Sequence, residues 1–245
     1  MHRPIPWQLA TDPNAPFPPV HTALRDPDGL LAIGGDLQPA RLLHAYAGGI
    51  FPWSSPGQPL LWWSPDPRTV FDTAQFRLSR SNRRQLRQHH WQLQVDTAFE
   101  AVIAQCAHIP RRGQRGTWID AQMIAAYTRL HRLGHAHSFQ VHADGQLIGG
   151  LYGVAVGRMF FAESMFSALP GASKLALAGA CHWLASWQMP LLDAQVHNRH
   201  LALLGARSLP RNDFLQRIQA LCQQPGQVGN WQQRAAILDT NDLLN

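Results

Sequence analysis

The stretch Ser138-Phe139-Gln140-Val141-His142-Ala143-Asp144-Gly145-Gln146-Leu147-Ile148 decides the architecture of this 245-residue chain. Phe139 and Val141 alternate with Gln140 and His142, the period-two pattern of a strand with one buried face. Asp144-Gly145 is a tight-hairpin signal, because both residues tolerate positive φ. The return strand runs from Gln146 to Val156, and Gly157-Arg158 turns it into a third, Met159 to Phe166. A three-stranded antiparallel meander is expected.

Upstream, Asp120 to Leu133 carries helical spacing at Met123, Ile124, Tyr127 and Leu130, with Asp120 as N-cap and Gly134 as stop. Ser79 to His89 reads as another helix. Downstream, Ala172 to Trp187 is apolar nearly all round and is expected to be buried. Leu191 to Val196 reads as a strand and His200 to Ala206 as a short helix. Helix, meander, helix, strand, helix is an α+β order with a mixed sheet, and it resembles the GNAT-like N-acetyltransferase architecture. Residues 1–62 are rich in Pro, Gly and Trp and hold one helix candidate, Pro39 to Ala47. Pro65-Asp66-Pro67 marks a rigid break. The expected division is a small N-terminal domain, 1–62, and a GNAT-like domain, 63–245.

Net charge is +6 and the pI is near 10, which points to a polyanionic partner. Cys106, Cys181 and Cys222 are odd in number and lack close pairing, which argues against a disulfide framework or zinc ribbon and fits a reducing cytosol. His131, His135 and His137 are spaced like metal ligands. They bridge a helix end and a strand start with no Cys or Glu nearby, so no metal is expected. Residues 1–4 lead into no apolar signal region, and the longest apolar stretch, Leu147 to Gly157, is too short to cross a bilayer. A cytoplasmic, soluble monomer is expected.

Two rare residues carry more information. The 15 acidic residues include only two glutamates, Glu100 and Glu163, and the 21 basic residues include a single lysine, Lys174. Glu163 interrupts the aromatic run Met159-Phe160-Phe161-Ala162-Glu163-Ser164-Met165-Phe166, where an unpaired buried carboxylate costs several kcal/mol. It is therefore solvated, paired or functional. Lys174 falls in the first turn of the helix from Ala172, at the unfavourable end of the helix dipole. It is tolerated there if it meets an anion, either a ligand phosphate or Glu163, or if it reaches to water. The entry to that helix, Ser167-Ala168-Leu169-Pro170-Gly171-Ala172-Ser173-Lys174, lacks the Gln/Arg-x-x-Gly-x-Gly/Ala loop that acetyl-CoA users need. An acetyl-CoA donor is disfavoured.

Asp193 and Gln195 are two apart in an apolar strand, so their side chains are expected on one face. An Asp there can orient a Gln amide, whose carbonyl can accept from an amine; solvated residues at a strand end are the alternative. Arg80, Arg83, Arg84 and Arg87 fall on one helix face, with no acidic residue between Asp72 and Asp96, and suit a phosphate backbone. Trp53, Trp62, Trp63 and Trp118 are candidates for stacking a base, or simply for the core.

Gly29-Leu30-Leu31-Ala32-Ile33-Gly34-Gly35-Asp36-Leu37, Gly49-Ile50-Phe51-Pro52-Trp53, Leu61-Trp62-Trp63-Ser64-Pro65-Asp66-Pro67-Arg68, Gly116-Thr117-Trp118-Ile119, Glu163-Ser164-Met165-Phe166-Ser167, Ala172-Ser173-Lys174 and Leu192-Asp193-Ala194-Gln195 stand in order between about residues 23 and 214. Together they resemble the bacterial leucyl/phenylalanyl-tRNA–protein transferases. The resemblance implies transfer of Leu, Phe or Met from aminoacyl-tRNA to an N-terminal Arg or Lys of a protein, creating an N-degron for proteolysis, with no cofactor. It implies an apolar donor pocket of Trp53, Trp118, Leu151, Phe160, Met165, Ala180 and Leu192. It places tRNA contacts at Arg80, Arg83, Arg84, Arg87 and Lys174, a catalytic pair at Asp193 and Gln195, and Glu163 beside the 3′-adenosine. Gln140, His142, Ala162, Ala180 and Leu203 depart from the family pattern, which bears on pocket size.

The implied chemistry is aminolysis of an activated ester. An α-amine of pKa about 7.7–8.0 is roughly 10–15% neutral at pH 7, so deprotonation costs only about 1.2 kcal/mol. Aligning amine and ester supplies about 7–11 kcal/mol. Positioning should dominate: Gln195 holds the amine, Asp193 orients Gln195 and attracts the cationic acceptor, and Glu163 binds the adenosine or positions its hydroxyls. An acetyltransferase-like enzyme and a non-catalytic tRNA-binding module are the other classes the residues admit.

Overall fold

The computed structural model describes residues 5–55, 57–108 and 117–244. Residues 1–4 and Gly116, read above, lie outside them. Four short strands, β1 (Trp7–Gln8), β2 (Leu30–Ile33), β3 (Phe51–Pro52) and β4 (Leu61–Trp63), form a small sheet in the order β1-β2-β4-β3. Helix α1 (Pro39–Ala47) joins β2 to β3. Pro39 sits at its first turn, where the missing N–H costs nothing.

The chain then enters a second sheet with β5 (Arg68–Asp72) and continues through α2 (Arg80–Leu86), β6 (Gln92–Val95), α3 (Phe99–His108) and α4 (Ala121–Arg132). The meander follows as β7 (Ala136–Ala143), β8 (Gln146–Val156) and β9 (Met159–Ser167). Next come α5 (Ala172–Ser186), β10 (Leu191–Gln195), α6 (Arg199–Leu203), β11 (Arg207–Leu209), α7 (Arg211–Cys222), β12 (Leu238–Asp239) and α8 (Thr240–Leu244). The eight strands run β11-β5-β10-β9-β8-β7-β6-β12. Every neighbouring pair is antiparallel except β9 and β10, which α5 joins as a parallel crossover. This is the α+β mixed sheet that the order of elements implies.

Asp144 and Gly145 both have positive φ, as a primed hairpin turn requires. Asp120 caps α4, its carboxylate accepting from the Met123 N–H at 2.9 Å. Helix α5 buries ten of its residues against the sheet. Two departures from expectation occur at short helices. Helix α2 ends at Leu86, its one buried residue, with Arg87 as C-cap. Helix α6 begins at Arg199, because the Asn198 side chain caps the Leu201 N–H at 2.8 Å.

The three histidines go to structural tasks. His137 is fully buried, stacks on Trp231 with ring centroids 3.4 Å apart, and its Nδ1 meets Asp96 at 2.8 Å. His131 stacks on Phe99, and burial holds the His135 imidazole below its ordinary range. No group of three potential metal ligands converges among the described residues. No helix among them is long and apolar enough to cross a membrane.

Candidate active site

Strands β9 and β10 stay paired only as far as Phe161 and Asp193. Beyond that point a cavity of about 850 Å³ opens, lined by Ala162–Met165 on one side and Ala194–His197 on the other. Its floor is apolar, with Phe51, Phe71, Leu151, Leu177 and Leu192 all buried. Trp53, 41% exposed, and the half-buried Trp118 stand at the mouth. Trp63 steadies Trp53 by donating its indole N–H to the Trp53 carbonyl at 2.6 Å.

Both strands carry an irregularity at the cavity. Opposite β8, Tyr152 pairs with Ser164 and Gly153 with Ala162, so Glu163 is an extra residue in β9. A Cβ at Gly153 would collide with the Phe161 carbonyl, so glycine is what lets β9 approach beside the bulge. Opposite β5, Asp193 pairs with Val70 and Gln195 with Thr69, so Ala194 is the extra residue in β10. Gln195 has φ +62°, in the left-handed region. Bulges re-aim side chains, and here two of them bring Glu163 and Gln195 together: the Gln195 Nε2 donates to Glu163 Oε1 at 2.7 Å. The Gln195 Oε1 takes no hydrogen bond from the described residues.

The other Glu163 oxygen accepts from the Tyr127 hydroxyl at 2.9 Å, and Tyr127 meets the Tyr46 hydroxyl at 2.6 Å. Because Tyr127 spends its single proton on Glu163, Tyr46 donates to Tyr127. Burial pushes the Glu163 carboxyl up to about 7, and the Asp193 charge adds to this; the tyrosine hydroxyls and the Gln195 amide pull the other way. Burial and the Glu163 charge raise both tyrosines well above their ordinary value. The carboxylate that looks expensive in an aromatic strand is thus held by two donors, from α4 and β10, with Tyr46 of α1 backing the first.

Asp193 is fully buried. It takes a two-pronged bond from Arg68, Nε to Oδ1 at 2.9 Å and Nη2 to Oδ2 at 2.7 Å. Its Oδ1 also accepts the Gln195 backbone N–H at 2.8 Å. This corrects the expected pairing: Asp193 does not share an open face with Gln195 or grip its side-chain amide. The bulge breaks the two-residue alternation, and Asp193 holds the backbone of Gln195 from behind.

Trp53, Trp118, Leu151, Met165 and Leu192 line the cavity as expected. Phe160 and Ala180 do not. They are fully buried in the layer behind it, where Phe160 packs edge-on to Phe139 at 5.5 Å, and Leu177, three residues before Ala180, reaches the cavity instead.

Lys174 reaches neither Glu163 nor the cavity floor; its Nζ donates to Asn82 Oδ1 at 2.8 Å, tying α5 to α2. On the rim, partial desolvation and then the Lys174 charge hold the His200 imidazole below its ordinary range. The four-arginine stripe divides. Arg83 and Arg87 both donate to the Leu244 carbonyl, at 2.6 and 2.9 Å, and so dock α8. Arg80 and Arg84 are exposed, with no hydrogen bond or ion pair among the described residues.

Sequence reasoning passed over Tyr46, Tyr127, Arg68, His197 and His200. Tyrosine scarcity was an available signal, since the chain has only three, at 46, 127 and 152. Arg68 closes the stretch Leu61–Arg68, one of those that carry the family resemblance.

Residues 70–219 match the leucyl/phenylalanyl-tRNA protein transferase family, and residues 35–66 match the N-terminal domain of the same family. A leucyl/phenylalanyl-tRNA–protein transferase of Xanthomonas axonopodis pv. citri is 60% identical over 234 residues, covering 96% of this chain and 94% of that protein. One from Xylella fastidiosa is 56% identical over 231 residues, covering 94% and 95%. Among solved structures, L-PGS from Bacillus licheniformis aligns with 69% of this chain and 53% of its own at 9% identity and a TM-score of 0.40.

Proposed function

The chain belongs to the leucyl/phenylalanyl-tRNA protein transferase family, and on that premise we propose how its cavity carries out the transfer and to what. The protein is an aminoacyltransferase that moves leucine or phenylalanine from aminoacyl-tRNA to the N-terminus of a protein. The acceptors are proteins beginning with Arg or Lys, which the reaction turns into N-degrons, and methionine is a third donor. A Met side chain has nearly the volume of Leu and fits the same apolar floor. The enzyme works as a cytoplasmic monomer. The change of sheet between Trp63 and Arg68 supports a small N-terminal domain followed by a transfer domain, with the division after Trp63 rather than before it, since Trp63 pairs with Leu30 and Phe51 in the small sheet.

The observation that carries this reading is the Gln195–Glu163 bond at the edge of an apolar cavity. The donor side chain sits over Leu151, Leu192 and Met165, between Trp53 and Trp118. The terminal adenosine lies toward Glu163, and the acceptor stem runs toward Lys174, Arg80 and Arg84. Glu163 binds the Gln195 Nε2 and so leaves Oε1 to accept an N–H of the attacking amine. The amine nitrogen bonds to the ester carbonyl carbon, the carbon–oxygen bond to the ribose breaks, and the proton lost by nitrogen passes, directly or through water, to the departing ribose oxygen, which leaves as a hydroxyl. With an activated ester, holding these atoms in line supplies most of the acceleration. No cysteine or serine intermediate is involved. Cys181 is buried and its thiol is raised above its ordinary range, and Cys222 is pushed up to about 12.

The test is incorporation of labelled leucine from leucyl-tRNA into a peptide beginning with Arg, against one beginning with Ala. Label on the Arg peptide alone is expected; equal labelling, or none, overturns the reading.

A further inference from the structure

Arg68 and Asp193 occupy a place the reaction scheme leaves unexplained. Both are buried, at 1% and 0% exposure, beside a cavity meant for charged substrates. Burying an ion pair costs desolvation that the pair's attraction only roughly repays, so such a pair is weak evidence of stabilisation. What its geometry does is therefore the more informative question.

Each of the three guanidinium nitrogens is engaged. Nε and Nη2 grip the two Asp193 oxygens, Nη1 donates to the Gly49 carbonyl at 3.0 Å, and the guanidinium carbon lies over the rings of Phe51 and Phe214, 4.7 and 4.8 Å from their centroids. Phe51 also lines the cavity. Asp193 in turn fixes the Gln195 N–H, which keeps Gln195 at its left-handed φ and its amide against Glu163. No oxygen of Asp193 is exposed to a substrate.

The geometry points to Arg68 as a positioning residue for aminoacyl transfer: through the Asp193 carboxylate it sets the backbone turn that aims Gln195, and Asp193 acts as the link rather than as a base. The planar fork is essential to this, because only a guanidinium meets both carboxylate oxygens and a third acceptor in one plane. A lysine keeps the charge and loses the alignment.

The inference rests on the transferase reading, and the experiment separates the two. The full-length protein and the variants Arg68→Lys, Asp193→Asn and their double are assayed for leucine transfer from leucyl-tRNA to the Arg peptide, between about pH 6.5 and about pH 9. Each single variant is expected to lose about 100-fold in kcat, the scale of an ångström-sized misplacement. KM for leucyl-tRNA should hold within about twofold, and the double should fall little below the worse single, since the two act as one unit. The Arg68→Lys deficit should be the same at every pH, and that of Asp193→Asn should hold or widen toward high pH, since losing the Asp193 charge lets Glu163 ionise at lower pH. Wild-type kcat in Arg68→Lys removes Arg68 from the reaction. A deficit of Asp193→Asn that disappears toward high pH makes Asp193 a proton acceptor and overturns the inference. If Arg68→Lys melts below assay temperature, the pH dependence of the near-isosteric Asp193→Asn decides alone. A wild-type protein that transfers no leucine counts against the function, not against Arg68.

Discussion

Glu163 and Gln195 lie 32 residues apart, on strands whose ladder has already ended, and their side chains meet at 2.7 Å. Neither points there by regular strand geometry. One side chain is turned in by a bulge in β9, the other by a bulge in β10, and the contact exists only because both are present. The reactive arrangement is thus built from two local exceptions to the rule that orders the rest of the sheet.

The raised Glu163 carboxyl gives transfer a particular pH profile. As a carboxylate it accepts from both Gln195 and Tyr127; protonation costs one of those bonds. Wild-type kcat/KM is expected to rise through about pH 7 as Glu163 ionises, then further as the acceptor α-amine, of pKa about 7.7–8.0, loses its proton. Glu163→Gln should show only the second rise, at a level about 10–100-fold lower. A variant whose profile matched the wild type would take Glu163 out of the site.

The same group sets a stability trend of opposite sense. The folded state holds the Glu163 proton more tightly than the unfolded chain, whose value is near 4.5. Its contribution is therefore full below about 4.5 and shrinks as pH rises through about 7. Wild type should lose melting temperature relative to Glu163→Gln across that window, and parallel curves would contradict the assignment.

Tyr127→Phe strips one donor from Glu163 and leaves the buried Tyr46 hydroxyl without its partner. A loss of about 1–3 kcal/mol is expected in denaturant titrations. Adding Tyr46→Phe should restore part of it, because both partners are then apolar. In both variants the Glu163-linked rise in activity should move to higher pH.

The arginines of α2 should separate by function. Neutralising the exposed Arg80 and Arg84 should lower the log–log salt slope of tRNA binding by about 1–2 units with little change in melting. Neutralising Arg83 and Arg87, which hold the Leu244 carbonyl, should mainly destabilise. Identical slopes for the Arg80/Arg84 variant and wild type would place RNA elsewhere.

Gly153→Ala inserts a methyl against the Phe161 carbonyl at the Glu163 bulge. Overpacking of this kind costs about 1–3 kcal/mol. Transfer should fall further than the loss of folded protein explains, and a variant with normal kcat would show that the bulge tolerates movement.

Much of the large sheet was readable from periodicity. Asp144-Gly145, the alternation of Phe139 and Val141, and the all-round apolar α5 each carry a local signal that tertiary packing did not override. Strands β5 and β6 and helix α3 carry weaker signals, since their partners are far away in sequence. In the site, Glu163 and Lys174 stood out by rarity, but only Glu163 proved to be at the cavity edge. The Asp193–Gln195 spacing misled, because a period-two rule holds only while the ladder is regular, and a bulge is invisible to it. Arg68 and the tyrosines act through contacts 36 to 125 residues away, which no spacing along the chain encodes.

Gln195 has one more implication, for anyone improving this protein rather than explaining it. A residue with a side chain pays about 1–2 kcal/mol to sit in the left-handed region, and glycine does not. Gln195→Gly would relieve that strain and at the same time strip a donor from the buried Glu163, a loss of about 1–3 kcal/mol, so folding is little changed while the protein no longer joins anything. Screens for robustness must be paired with turnover at every round, or they will let the working residue go unnoticed.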